Sequence, residues 1–319
     1  MKVSIIIATK NRAYALAPCL DSIAGVLAKA KPLEAELIVV DNGSTDDTQT
    51  VLTAWANANP GYLVALREPR PGKSCALNRA LQFASGELLA FLDDDCRLHP
   101  EYVNDLLRHD ANDHDELVLR GGRIELGDQT DLPLTINTTP TRERWSRASN
   151  SARHHAIWGK INGCNMAMRR GVIELIGGFD EDFGPGSKMG SGDDTEFMFR
   201  AYTAGVPIEY VPDMAVSHYH GRKNTEDGFK LWRSYAIGNG GIIVKFIFEH
   251  FNLSRPLWWD LKNAVTELRT GTNKFDPETN VFSYVDKVHY QVRGILRYLF
   301  MRRNGIPPMN STAERTPSA

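Results

Sequence analysis

The sequence predicts an α/β fold, a sheet flanked by helices and followed by a helical C-terminal extension. Three observations carry that prediction. Four short apolar runs alternate with helical patterns over the first hundred residues, three of these runs pass straight into polar clusters, and beyond about residue 222 the pattern becomes helical and aromatic. With 42% hydrophobic and 24% charged residues among 319, the composition is that of an ordinary globular protein, long enough for about two structural units. A formal net charge of -2 removes any general electrostatic case for nucleic-acid binding.

Residues 3–8, 36–40, 63–66 and 88–92 read as strands. Each is nearly all apolar, as a parallel strand buried on both faces requires. The first runs into Thr9, Lys10, Asn11 and Arg12, the second into Asp41, Asn42, Gly43 and Ser44, and the fourth into Asp93, Asp94 and Asp95. Ligands of open α/β sheets bind beyond the carboxyl ends of strands, so the three clusters predict one shared crevice. Residues 110–116, acidic and turn-rich, read as a solvated loop, and the polar stretch 127–153 as a loop over the site. Order returns at 161–168 and 209–218. The expected division is a catalytic unit over 1–222, a helical region over 223–306 that contacts an acceptor, a membrane or a second copy, and a frayed tail over 307–319.

Cys19, Cys75, Cys96 and Cys164 form no C-x-x-C pair, which argues against a structural zinc site or a disulfide framework. The opening apolar run is too brief for a signal peptide, and no uncharged stretch is long enough to span a bilayer. The expected location is therefore cytoplasmic, with an option of peripheral contact at the inner membrane face.

Asp93, Asp94 and Asp95 at a strand end would repel one another unless a cation or a solvated turn relieved them. An Asp-x-Asp pair facing a ligand is the oxygen-rich arrangement that Mg²⁺ or Mn²⁺ shares with substrate phosphates. Pro71, Gly72, Lys73 and Ser74 do not make a P-loop, because Arg67 stands where its first glycine is required. Gly238, Asn239, Gly240 and Gly241 fail the dinucleotide pattern at Ile243. Asp193 with Glu196 three residues on matches a capping box. Asp194 shares a helical stripe with Phe197, Met198 and Ala201, so its carboxylate points toward apolar surroundings where a partner or a function must offset its desolvation. His218 and His220 close a strand-like segment and are candidate metal ligands, His218 the preferred one.

Together these segments resemble the inverting family 2 glycosyltransferases over about residues 3–222, in the expected order. That resemblance implies the GT-A fold, a Rossmann-like mixed sheet flanked by helices. It implies that Ala8, Thr9, Asn11 and Arg12 contact a nucleotide, that Asp41 bonds a uracil, and that Gly72, Lys73 and Asn78 belong to the segment closing the base pocket. Asp93 and Asp94 then lie toward ribose and phosphates, Asp95 and His218 hold Mn²⁺ or Mg²⁺, and Asp194 is the catalytic base, in a Gly192-Asp193-Asp194 that departs from the usual Gly-Glu-Asp by one methylene. The implied reaction moves one sugar from a UDP-sugar to an acceptor hydroxyl with inversion, in polysaccharide or glycolipid synthesis. Processive relatives carry Q-x-x-R-W; here Thr141 precedes Arg144 and Trp145, so a single transfer is expected.

Two other classes are weighed against this one. A sugar nucleotidyltransferase would need a glycine-rich first loop where this chain has Ala8, Thr9, Lys10, Asn11 and Arg12, and an inactive nucleotide-binding regulator would not need Asp93, Asp95 and Asp194. In the extension, Val285, Val288, Val292, Ile295, Leu296 and Leu299 recur at helical spacing beside Lys287, Arg293, Arg297, Arg302 and Arg303. Such a helix either packs on the catalytic unit, forms a homodimer seam, or rests on an anionic membrane, and in the last case the acceptor is a lipid-linked saccharide.

Overall fold

The computed structural model describes residues 2–30, 33–113, 117–147, 157–250, 254–276 and 280–303. The tail from 307 onward lies outside them. The first four strands, β1 (Lys2–Thr9), β2 (Glu34–Asp41), β3 (Leu63–Arg67) and β4 (Leu88–Asp93), pair in parallel. Between them run α1 (Ala13–Lys29), α2 (Thr48–Ala58) and α3 (Lys73–Phe83). β5 (Cys96–Leu98), α4 (Tyr102–Ala111), β6 (Leu119–Leu126), β7 (Glu143–Trp145), β8 (Asn165–Arg169), α5 (Arg170–Ile176), α6 (Asp193–Thr203) and β9 (Ile208–His218) complete the sheet and its cover. The sheet is mixed, in the order β3-β2-β1-β4-β8-β6-β9-β5, with β7 on β9 and β8 antiparallel to both β4 and β6.

Alternation along β1 builds a core on each side. Ile6, with Ile38 and Phe91 opposite it, packs among Phe179, Phe197 and Tyr202, whereas Ile5 and Ile7 face Leu16, Leu20 and Leu106. The register then aligns the strand ends that matter: Thr9 pairs with Asp41, and Ala8 with Asp93. β5 and β9 perform a similar alignment on the far edge, pairing Cys96 with His218 and so bringing that histidine beside Asp95.

Local pattern misleads in three places. Of the expected solvated loop 110–116, residues 114–116 lie outside the described residues and Ala111 and Asn112 are exposed, but Asp110 is buried on Arg169 at 2.8 Å, and Asp113 joins Arg144 in an ion network around the buried Arg120 and Glu209. Residues 162–164 form a turn closed by Asn165 N–H donating to the Asn162 carbonyl, so the ordered segment expected over 161–168 pairs as a strand only from Asn165 onward. The capping box is absent as well. Gly192, at φ +88°, caps α6 without a side-chain hydrogen bond, and Glu196 turns away to Arg200 (2.7 Å) and Lys245 (2.6 Å).

The extension consists of α7 (Thr225–Phe246), α8 (Ser254–Thr270) and α9 (Tyr284–Arg303). Asn224 caps α7 by accepting from the Asp227 N–H at 3.0 Å. Lys245, near the end of α7, clamps Asp180 and Glu196, each at 2.6 Å, and so ties the helix to the catalytic unit. Gly240 on α7 lies against the Gln291 carbonyl and Gly294 on α9 against the Ile237 carbonyl, so close that a Cβ at either would overlap the opposing backbone. Of the glycines that fail as a nucleotide motif, Gly240 is thus part of the contact surface of two helices, while Gly238 lies against Ser191 and Gly241 against Met189.

Candidate active site

A cavity of about 540 Å³ opens at the ends of β1 and β4. Ala8, Thr9, Asn11 and Arg12 form one wall, Asp93, Asp94, Asp95 and His218 the floor, and Lys73, Asp193 and Asp194 the opposite wall. Three residues named from sequence stand behind it instead. Asp41 is fully buried, its oxygens accepting from Ser44 N–H at 2.8 Å and the Gln49 amide at 2.5 Å. Gly72, at φ +128°, donates its N–H to Asn42 Oδ1 at 2.9 Å and sets the start of α3, which delivers Lys73. Asn78 ties α3 to Phe179 and Glu181.

The three adjacent carboxylates are separated by their partners. Asp93 meets the Lys73 ammonium. Asp94 pairs with the Thr9 hydroxyl at 2.6 Å, and burial together with the charge of Asp95 pushes its pKa up to about 7. Asp95 behaves oppositely: burial would raise its pKa, but His218 and Arg12 outweigh burial and hold it at about 2. Arg12 lies 3.0 Å from Asp95 Oδ2 and His218 Nε2 3.2 Å from Oδ1. Oδ1 is buried and has no well-formed hydrogen bond among the described residues. Asp95, Cys96 and His218 present their ligand atoms within 4.8 Å of one another. An orphaned carboxylate oxygen facing an imidazole nitrogen fits a divalent cation, and the Cys96 thiol, kept protonated by burial, suits a hard ion poorly. His220 is used elsewhere: Nε2 donates to the Leu132 carbonyl and Nδ1 accepts from Arg222 N–H, each at 3.1 Å.

Asp194 is half-buried at the first turn of α6. Its Oδ2 accepts from Gly163 N–H at 2.8 Å, the contact that the 162–164 turn provides, and Oδ1 accepts from Thr195 N–H at 2.6 Å. Asp193 lines the cavity beside Lys73, and burial, opposed by Lys73 and reinforced by Asp194, brings its pKa to about 6. A second cavity of about 300 Å³ adjoins the first and is walled by Trp158, Trp232, Tyr235, Phe275, Phe282 and Lys287. Asp194 and Tyr235 border both. The sequence reading missed Tyr235, Arg222 and the whole aromatic wall; the exception within reach was Asp193, which was assigned a capping role. Arg222, the last residue of the expected catalytic unit, reaches the first cavity.

Residues 4–177, just over half of the chain, match the family described as Glycosyl transferase family 2, and the chain belongs to that family. It is 26% identical to glycosyltransferase AglE of Haloferax volcanii over 79% of this chain and 77% of that protein. It is also 27% identical to a validoxylamine A glucosyltransferase of Streptomyces hygroscopicus subsp. limoneus over 82% of this chain, but spans only 59% of that relative's length. Among solved structures it resembles the mannosyltransferase PcManGT of Pyrobaculum calidifontis in complex with GDP-Man and Mn²⁺ (TM-score 0.61, 18% identity, 93% of this chain and 87% of that one). A second likeness is to S. aureus TarS residues 1–349, solved also with UDP-GlcNAc, for which the comparison with the complex gives a TM-score of 0.53, 20% identity, and 96% and 92% coverage. The GT-A architecture expected from the strand-end motifs is therefore the fold of this chain, a glycosyltransferase.

Proposed function

We propose that the protein is an inverting, metal-dependent glycosyltransferase that moves one sugar from a UDP-sugar to an acceptor hydroxyl in polysaccharide or glycolipid synthesis. The observation that carries this reading is the position of Asp194 on the wall common to a charged cavity and an aromatic one. The charged cavity suits a nucleotide diphosphate: Arg12, Lys73 and Arg222 supply positive charge, and Asp95 and His218 would hold Mn²⁺ or Mg²⁺, which supplies charge stabilisation for the departing diphosphate. The aromatic cavity suits the apolar face of a saccharide ring.

Asp194 takes the proton of an acceptor hydroxyl in the second cavity. The oxygen attacks the anomeric carbon as the bond to the phosphate oxygen breaks, and UDP leaves with the electron pair. One displacement inverts the configuration. Gly163 N–H and Thr195 N–H donate to the carboxylate and fix its orientation. TarS, solved with UDP and UDP-GlcNAc, supports a uridine donor. Four unpaired cysteines favour the cytoplasm, and no helix among the described residues is long and apolar enough to cross a membrane.

The test is thermal stabilisation by UDP and by GDP with and without Mn²⁺, followed by release of UDP from a panel of UDP-sugars. UDP at 100 times its dissociation constant should add about 2.7 kcal/mol with the metal present. Asp194→Asn should retain that shift and lose transfer. A preference for GDP overturns the donor, and an active Asp194→Asn overturns the base.

A further inference from the structure

The last two helices turn their acids inward and their apolar side chains outward. On α8, Trp258, Leu261, Val265 and Leu268 recur at i, i+3, i+7 and i+10, one stripe of a helix, and all are exposed, Trp258 by 65% and Leu268 by 73%. On α9, Val292, Leu296, Leu299 and Phe300 form an exposed stripe on the side opposite Gly294 and Tyr298, which pack inward. The helices run antiparallel, with Asp260 against Gln291 at 2.8 Å and Glu267 against Val285 N–H at 3.3 Å. Helical periodicity then sets both stripes on the outer side of the pair, eight large apolar side chains exposed on one helical hairpin.

Charge sorts in the same way. Asp260 is held by Lys287 and Gln291, Glu267 by the N–H groups of Lys274 and Phe275, and Asp286 by Ser283, so every acid of the two helices has a partner within the protein. Arg255, Lys262, Arg269, Arg293 and Arg303 are exposed, whereas Arg297 donates to the Lys188 carbonyl at 3.0 Å. We infer that this outer face is a membrane-binding surface, which lies flat on a bilayer carrying anionic headgroups. The two stripes enter the boundary of the acyl chains and the cations meet lipid phosphates. A second copy of the chain is the poorer occupant, because it would bring the cations of both copies together. Phe275, Phe282 and Lys287, from the same hairpin, wall the aromatic cavity, so an acceptor carried on a lipid would reach it from the bilayer. That step rests on the acceptor reading above; membrane binding itself does not.

Flotation of the full chain, without substrates, on vesicles of phosphatidylcholine alone and of phosphatidylcholine with phosphatidylglycerol tests the surface. The chain should float with the anionic vesicles and be released by salt, and Arg293→Gln and Arg303→Gln should each weaken partition about fivefold. Trp258 emission should shift to the blue on the anionic vesicles, a shift absent from Trp258→Phe. Leu296→Ser with Phe300→Ser should abolish flotation while melting at the wild-type temperature. Equal flotation on neutral vesicles, no flotation, or a dimer in sedimentation velocity that the Leu296→Ser and Phe300→Ser pair dissolves would each overturn the inference.

Discussion

The parallel half of the sheet and the helical layer over it present their functional residues by different means. In the first, Thr9 to Arg12 and Asp93 to Asp95 are contiguous segments that a strand delivers to its carboxyl end, and one register, Ala8 opposite Asp93, brings them together. In the second, Trp158, Trp232, Phe275 and Phe282 come from separate loops and helices and meet only after α7, α8 and α9 have packed. The first arrangement follows from local sequence and sheet geometry, whereas the second depends on tertiary packing. A change that strikes one half should therefore leave the other's ligand bound, and this is where the comparison can be broken.

The largest effect is expected at Asp95. Asp95→Asn removes the negative charge between His218 and Arg12, and the metal-stimulated transfer rate should fall on the order of 10³-fold, with Mn²⁺ no longer improving UDP binding. Acceptor binding, measured without donor, should be unchanged. Loss of acceptor affinity in this variant would mean that the two cavities are one site.

Gly294→Ala is the next largest. The added methyl must push α9 away from the Ile237 carbonyl, and a rigid backbone gives way less readily than a flexible side chain. The expected cost is about 2 kcal/mol in denaturant unfolding. Because Phe282 and Lys287 sit on or just before α9, the acceptor KM should rise with it while the UDP-induced thermal shift stays the same.

Trp232→Ala tests the aromatic wall without moving a helix. Trp232 packs edge-on against Phe275 at 5.2 Å between ring centroids, and its loss removes a stacking face worth about 1 kcal/mol, a rise of about fivefold in acceptor KM at constant donor KM. An unchanged acceptor KM would remove the aromatic cavity from the reaction.

This asymmetry also explains what could be read from the sequence. The place of Asp93, Asp94, Asp95 and Thr9 on one cavity was legible because buried parallel strands that end in polar residues mark the ligand side of an open α/β sheet. That His218 lies beside Asp95 while His220 bonds the Leu132 carbonyl follows from the pairing of Cys96 with His218 on β9, which depends on an edge strand of three residues that leaves no periodic signal. Asp193 and Glu196 were misread because a capping box is a local pattern, whereas Lys245, some fifty residues later, decides where Glu196 points. Asp110 and Asp113 were misread for the same reason, since their arginine partners at 120, 144 and 169 belong to later elements, the farthest 59 residues on. Tyr235 could not be found by any motif, because its place between the cavities is set by the seat of α7 alone.

The smallest effect separates stability from either site. Glu36 stands on β2 at the end of the sheet remote from the cavities, where Ser4 Oγ–H donates to it at 2.6 Å, Ser85 N–H at 2.6 Å, and Lys2 lies 2.9 Å away. Burial alone would raise the carboxyl, but these partners outweigh it and hold its pKa at about 2. A carboxyl held lower in the folded chain than in the unfolded one stabilises the fold above the unfolded pKa of about 4.3, and that contribution is lost as pH falls toward 2. Screening by nearby solvent keeps it to about 1 kcal/mol. Glu36→Gln should therefore melt a few degrees below the wild type at pH 7, and the difference should close between about pH 4 and pH 2. The UDP shift and the acceptor KM should not move at neutral pH, since neither half of the site touches Glu36. A gap that persists at pH 2 would instead assign the loss to the shape of the Ser4, Ser85 and Lys2 contacts rather than to the charge.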